Sequence, residues 1–164
     1  MIKKLDTKEQ KLLKFFHLLF AFMWFGGGLA LTLFALCFVP TNLQEAHFLS
    51  NILDFIDVWF IIIGANGLLV TGLIYGIWTK WGFFKHTWIT IKWIILAFQI
   101  VFGTFVLGYW VSANLEMAES MKNDIQFYPD FFKNLQYLGW GGSLQMILLI
   151  AVILISVYKP WKKR

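Results

Sequence analysis

The stretch HTWITIKWIILAFQIVFGTFVLGYW, residues 86–110, decides the fold. It is apolar almost throughout, holds no acidic residue, and carries a single charge, Lys92, near its start. A helix needs about 20 mostly apolar residues to cross the hydrocarbon core of a bilayer. This run is long enough, and three others resemble it. The four candidate spans lie at about 15–39, 55–79, 87–111 and 139–158. Composition agrees: 59% of the residues are hydrophobic, 20% aromatic and 14% charged, and mean hydropathy is +0.68. A soluble domain has about 25% charged residues. The sequence therefore predicts an all-α, polytopic membrane protein, an antiparallel four-transmembrane-helix bundle formed as one transmembrane domain over residues 1–164. No internal repeat, low-complexity tract or second domain is visible.

The first apolar run is too long for the core of a secretory signal and leads into another span, so Phe15 to Val39 reads as a retained helix. The lone cysteine, Cys37, has no partner for an internal disulfide. Charge placement gives an orientation. Lys3, Lys4, Lys8, Lys11 and Lys14 precede the first span, Lys80, Lys85 and Lys92 lie between the second and third or just inside the third, and Lys159, Lys162, Lys163 and Arg164 follow the fourth. The opposite loops hold only Lys122 and Lys133 against most of the acids. The positive-inside rule then puts both termini in the cytoplasm and the chain in the cytoplasmic (inner) membrane as a multi-pass protein. The net charge of +5 is a topology signal. Nucleic-acid binding is not expected, because these lysines flank apolar spans instead of forming a basic face on a soluble element.

Connection lengths refine the picture. KWGFFKH, residues 80–86, forces spans two and three into an antiparallel pair and suits the headgroup level with Trp81, Phe83 and Phe84. Between spans one and two, Pro40 stops a helix, and Thr41 or Asn42 caps a short surface turn. The long segment 112–137 extends span three by a turn or two, breaks near Tyr128–Pro129, and lays Phe131 and Phe132 on the membrane surface. Glycines in WFGGGLA, GANGLLVTGLIYG, GTFVLG and GWGG read as sites of close helix approach, Gly28 and Gly72 among them; the same lack of a Cβ would make room for a flat cofactor.

Polar residues inside spans are candidates for function. His17 and Lys92 enter their spans from the same side within two turns, so they meet at one level. His17, Ala21, Trp24 and Gly28 share a helical face; so do Lys92, Gln99 and Gly103, and Asp57, Gly64, Leu68, Thr71 and Tyr75 form a third stripe. This places His17, Lys92, Trp24, Asn66 and Gln99 around one pocket on the cytoplasmic side. Each has a plainer reading. Lys92 snorkels to the headgroups, His17 bonds a neighbouring backbone, and Asn66 and Gln99 hold helices together.

The residues also carry a resemblance. HLLFAFMWFGGG sets a histidine seven residues before Trp-Phe-Gly territory, WITIK gives Trp-x-x-x-Lys at the head of span three, and LLIAVILISVYKPW ends the chain's last span in Lys-Pro-aromatic. Together these resemble the superfamily of small four-helix membrane proteins that includes HemJ-type protoporphyrinogen oxidases and CopD-type copper-resistance domains. The resemblance implies His17 as a metal ligand, Lys92 as its functional partner, and haem b or a related tetrapyrrole as cofactor. It leaves an oxidoreductase open, with copper handling and a non-catalytic partner subunit as the other readings. Two HemJ-type features are absent: ALTLF stands where that group has Leu-Pro-Arg, and LGWGGSLQ where it has an arginine and Asn-Glu-x-Pro. The arginines that would pair with porphyrin propionates are therefore missing. Expected partners are the lipid bilayer, a haem or porphyrin and, as an open option, a second copy of the chain in a homo-oligomer.

The orientation is testable by fusion. A reporter after Arg164 should be active in the cytoplasm, and a tag inserted at Asn123 should be reachable from outside. The opposite accessibility would invert the topology.

Overall fold

A computed structural model describes residues 4–122 and 124–161. Lys3, Asn123, Lys162, Lys163 and Arg164, invoked above for charge and topology, lie outside the described residues. Four helices, Thr7–Cys37, Leu43–Trp78, Thr87–Ser120 and Pro129–Tyr158, are each long and apolar enough to cross a membrane, and no strand occurs among the described residues. We label them α1 (Thr7–Cys37), α2 (Leu43–Ile56) continuing into α3 (Ile63–Trp78), α4 (Thr87–Phe102) continuing into α5 (Gly108–Ser120), and α6 (Pro129–Tyr158). The two junctions, Asp57–Ile62 and Gly103–Leu107, are π-helical.

Every helix is longer than its apolar core. Asp6 explains the early start of α1: its carboxylate accepts the Lys8 and Glu9 amides at 2.8 Å, and Glu9 accepts the Asp6 amide at 2.7 Å. Asn42 accepts the Glu45 amide at 2.9 Å and starts α2 where a short surface turn was expected. The result is a helix that runs without a break into span two. Pro129 opens α6 at a position where its missing amide costs nothing. At the other end of α3, the Lys4 ammonium donates to the Ile77 and Thr79 carbonyls at 3.0 and 3.1 Å, groups the helix itself leaves unpaired.

The bundle has two unlike ends. At the far end, where α1 meets α2 and α5 leads to α6, Ala46, Leu49 and Leu53 pack on Ala118, Phe131 and Leu138, all at most 1% exposed. Phe131 is thus a core residue and not a surface anchor, because Pro129 starts a helix that turns it inward; Phe132 packs against the same core. Asn114 ties this end together: its amide donates to the Phe131 carbonyl, its backbone carbonyl accepts from Ser50, and its side-chain oxygen accepts from Asn134. At the near end, where α1 begins and α6 finishes, spans two and three separate. The outward faces of the bundle are largely apolar, with Phe22, Phe105 and Ile147 exposed as a bilayer requires.

The tightest backbone approach is at Gly64, where a Cβ would lie 2.7 Å from the Trp24 amide nitrogen and 3.0 Å from the Phe20 carbonyl oxygen. Gly28 and Gly72, expected at such contacts, instead face side chains: Met146 lies over Gly28, and the Trp93 ring lies 3.5 Å from where a Cβ on Gly72 would sit. Gly64→Ala should therefore lower unfolding stability by about 1–3 kcal/mol, since backbone cannot step aside. Gly26→Ala, which meets nothing within 4 Å, should change it by less than about 0.5 kcal/mol. Equilibrium denaturation in detergent micelles checks the pair.

Candidate functional site

The contact at Gly64 fixes the register of two antiparallel helices. Seven residues along α3 brings Thr71, seven residues back along α1 brings His17, and two turns of helix return both to the shared face. There His17 Nδ1 lies 2.7 Å from Thr71 Oγ1. The Thr71 hydroxyl has one proton to give, and the Gly67 carbonyl at 2.7 Å and the Leu68 carbonyl at 3.2 Å both lie within its reach. With that proton given to the Gly67 carbonyl, Thr71 Oγ1 accepts from the ring and the neutral His17 carries its proton on Nδ1; a hydroxyl turned to the ring would give the other tautomer. In the neutral imidazole the Nε2 lone pair is then left free. This is the arrangement in which a histidine serves as a metal ligand, its other nitrogen held by a fixed partner. Tyr75, one turn on, meets the ring edge to face at 5.5 Å.

His17 lines a cavity of about 450 Å³ that opens at the near end between α1, α3, α4 and α6. Trp24, Gln99 and Leu149 form its floor, Leu68, Gly72 and Tyr75 one wall, and Lys92, Trp93 and Leu96 the other. Of the residues singled out in the sequence, the cavity brings together His17, Lys92, Trp24 and Gln99. Asn66 does not join them. It is exposed, on the face of α3 turned away from the cavity, and its amide turns back to the Ile62 carbonyl at 2.8 Å. Its position two residues past Gly64 carries it off the stripe that contains Leu68 and Thr71.

Gln99 does two things at once. Its amide donates to the Gln145 carbonyl and the Gln145 amide donates back to the Gln99 carbonyl, each at 3.0 Å, which pins α4 to α6. The Gln99 carbonyl also takes the Gly103 amide, where the π-helical turn begins. A carbonyl shared in this way accompanies a local widening of the helix. Gln145 Oε1 is buried and makes no hydrogen bond.

The mouth is basic and aromatic. Lys92 Nζ lies 5.5 Å from the Trp88 ring centroid, Lys159 Nζ lies 5.9 Å from the same ring and 5.4 Å from Trp81, and Lys14 joins the lining from α1. Such contacts hold an ammonium group at about 0.5–2 kcal/mol each. They do not cancel charge, and no Asp or Glu lines the cavity among the described residues. Two ammonium groups on one indole repel each other, so an anion between them is favoured. Lys159 reaches the mouth because α6 ends there in a left-handed residue, φ 45°.

In the sequence Lys14 and Lys159 read as topology signals, Trp81 as a headgroup-level residue and Trp88 as the start of the Trp-x-x-x-Lys motif. One signal for Trp88 was present: Trp88, Lys92, Leu96 and Gln99 are spaced i, i+4, i+8, i+11 on a single face. Lys159 had none, since its place depends on where α6 terminates. The remaining histidines stay outside the lining: His86 packs against Trp81 and Trp88, and His47 is on α2 at the far end. Among the described residues no three His, Cys, Asp or Glu side chains come together to hold a metal. Cys37 is exposed at the far end and Met146 is spent on Gly28, so soft ligands for Cu(I) do not converge.

No curated protein and no solved structure matches the chain. A family model does, over residues 11–160, a range that takes in α1 from Lys11 onward, the other three spanning helices whole and every residue of the cavity. The chain belongs to that family, DUF2269, described as a predicted integral membrane protein.

Proposed function

We propose that this protein binds a tetrapyrrole of the haem class in the near-end cavity, with that end facing the cytoplasm. The observation that carries the reading is the free Nε2 of His17, fixed by Thr71 and set in an apolar cavity whose unbalanced charge is positive. The donor set suits the group. His17 would hold the iron, Trp24, Trp93 and Leu68 would cover the flat apolar body, and Lys92, Lys159 and Lys14 would meet its carboxylates in place of the arginines of HemJ-type proteins. A volume of about 450 Å³ lies within the range of small-molecule sites. The resemblance to HemJ-type proteins supports the same ligand class.

Bound haem would supply one-electron iron chemistry, its potential set by axial ligation and burial. The chain's own part is to hold and shield. Only one histidine lines the cavity among the described residues, so His17 would hold the iron alone or with Lys92, whose amine would have to lose its proton to serve. Lysines act here as point charges, which pair with carboxylates without the two-pronged geometry of arginine.

Purified protein in lipid nanodiscs should bind both haem and metal-free protoporphyrin IX saturably, seen as shifted Soret bands. His17→Ala should abolish the iron-dependent shift and leave protoporphyrin binding in place. Lys92→Met should weaken both about tenfold, equivalent to about 1.4 kcal/mol, while Lys92→Arg should restore most of the loss. A parent that saturates with neither pigment would refute the reading, and the cavity would then serve a non-tetrapyrrole anion.

A further inference from the structure

Around the bundle, α1 packs on α3 and α6, α4 packs on α6, and α2 packs on α5 at the far end. The sparsest neighbour contact is between α3 and α4 at the near end. What bridges them is side chain: the Trp93 ring reaches to within 3.5 Å of the position of a Gly72 Cβ, and the Phe83 ring covers Gly76. Phe83 and Trp93 touch each other with centroids 5.5 Å apart. Phe83 is carried by the short loop between the helices, beside Gly82 at φ 65°.

Closure by two rings differs from closure by two helices. Rings rotate on fast timescales without moving backbone, whereas α1 and α3, locked at Gly64, cannot part. The surrounding surface belongs to lipid, for Val70 and Leu73 on α3 and Ile94 and Phe98 on α4 are all exposed. The axial mouth, by contrast, is crowded by Trp81 and Trp88 with ammonium groups over their rings.

We infer that the cavity is loaded sideways from the bilayer: an amphiphile with a flat apolar body and an acidic group, dissolved in the near-end leaflet, enters between α3 and α4 past Phe83 and Trp93. The apolar body never crosses water. The acidic group travels at headgroup depth and meets Lys92 and Lys159 as the body slides inward over Gly72 and Gly76. The identity of the ligand rests on the tetrapyrrole reading above; the route does not, and the test separates them.

The probe is a thiol at the cavity floor. In protein carrying Cys37→Ser and reconstituted in liposomes, Leu149→Cys places a cysteine at a position 7% exposed, and Ile147→Cys places one on the lipid face of the same helix, at a position 64% exposed. A bilayer-dissolved N-alkylmaleimide and a charged, membrane-impermeant maleimide present on both sides are compared. The alkyl reagent should label Leu149→Cys at least tenfold faster than the charged one, and adding Phe83→Ala should raise the alkyl rate several-fold at Leu149→Cys with no change at Ile147→Cys. Leu96→Cys, on the opposite wall, should respond as Leu149→Cys does. Faster labelling by the charged reagent, or a Phe83→Ala effect on the charged reagent alone, would overturn lateral entry; so would labelling of Ile147→Cys with both cavity positions inert. Bound protoporphyrin IX should protect the cavity cysteines. Alkyl labelling that protoporphyrin fails to block upholds the route and counts against the tetrapyrrole.

Discussion

Gly64 against the Trp24 backbone is the contact on which the site depends. Two helices in lipid gain little from hiding apolar side chains, since the tails around them are as apolar, so association rests on close packing and on polar pairs. A glycine at the crossing allows backbone to meet backbone and admits one register. Gly67 accepts the Phe20 ring one turn on, and Thr71 reaches His17 a turn after that. A slip by one residue would rotate Thr71 by about 100° and break the pair. The chemistry of His17 is thus set by a glycine far from it in sequence.

The same economy of packing explains why only one end holds a cavity. At the far end, small and branched residues on α2 interlock with α5 and α6 around Phe131, and the Asn114 hub satisfies its polar groups internally. At the near end, α3 offers Gly72 and Gly76 where side chains would be needed to fill the gap, and α4 is pinned to α6 by the reciprocal Gln99–Gln145 bonds but reaches α3 through the Trp93 ring. The space between is propped by tryptophans and closed by charge. Lys92 is half-buried within a span with no acid in the cavity lining, while Lys14 and Lys159 are exposed at the mouth; an ammonium at that depth is costly in a bilayer unless something anionic meets it, and this cost is the physical ground for a ligand.

Much of this was legible in the sequence because a bilayer imposes a simple code. Four long apolar runs gave four helices, and helical phase put His17, Trp24, Lys92 and Gln99 on facing surfaces. Failures came where tertiary contacts decide. Asn66 belongs to no stripe by strict period, and the structure leaves it exposed beside Ile62. Phe131 looked like a surface anchor because the polar segment before it hides a helix start at Pro129. Which glycines touch backbone and which line a cavity is not written in spacing: Gly64 and Gly72 look alike in the chain and do opposite things. Lys159 depends on the terminus of α6, the kind of boundary that pattern reading places least well.

The central claim is that Thr71 holds His17 with its proton on Nδ1 and leaves Nε2 free for a ligand. Nitrogen-15 NMR of histidine-labelled protein in nanodiscs, at a pH high enough to keep the imidazoles neutral, reads this directly, with the His17 signals assigned by their loss in His17→Ala. The account predicts a single Nδ1–H tautomer in the parent and a mixture of tautomers in Thr71→Val. A parent His17 protonated on Nε2, or a tautomer indifferent to Thr71→Val, would contradict it.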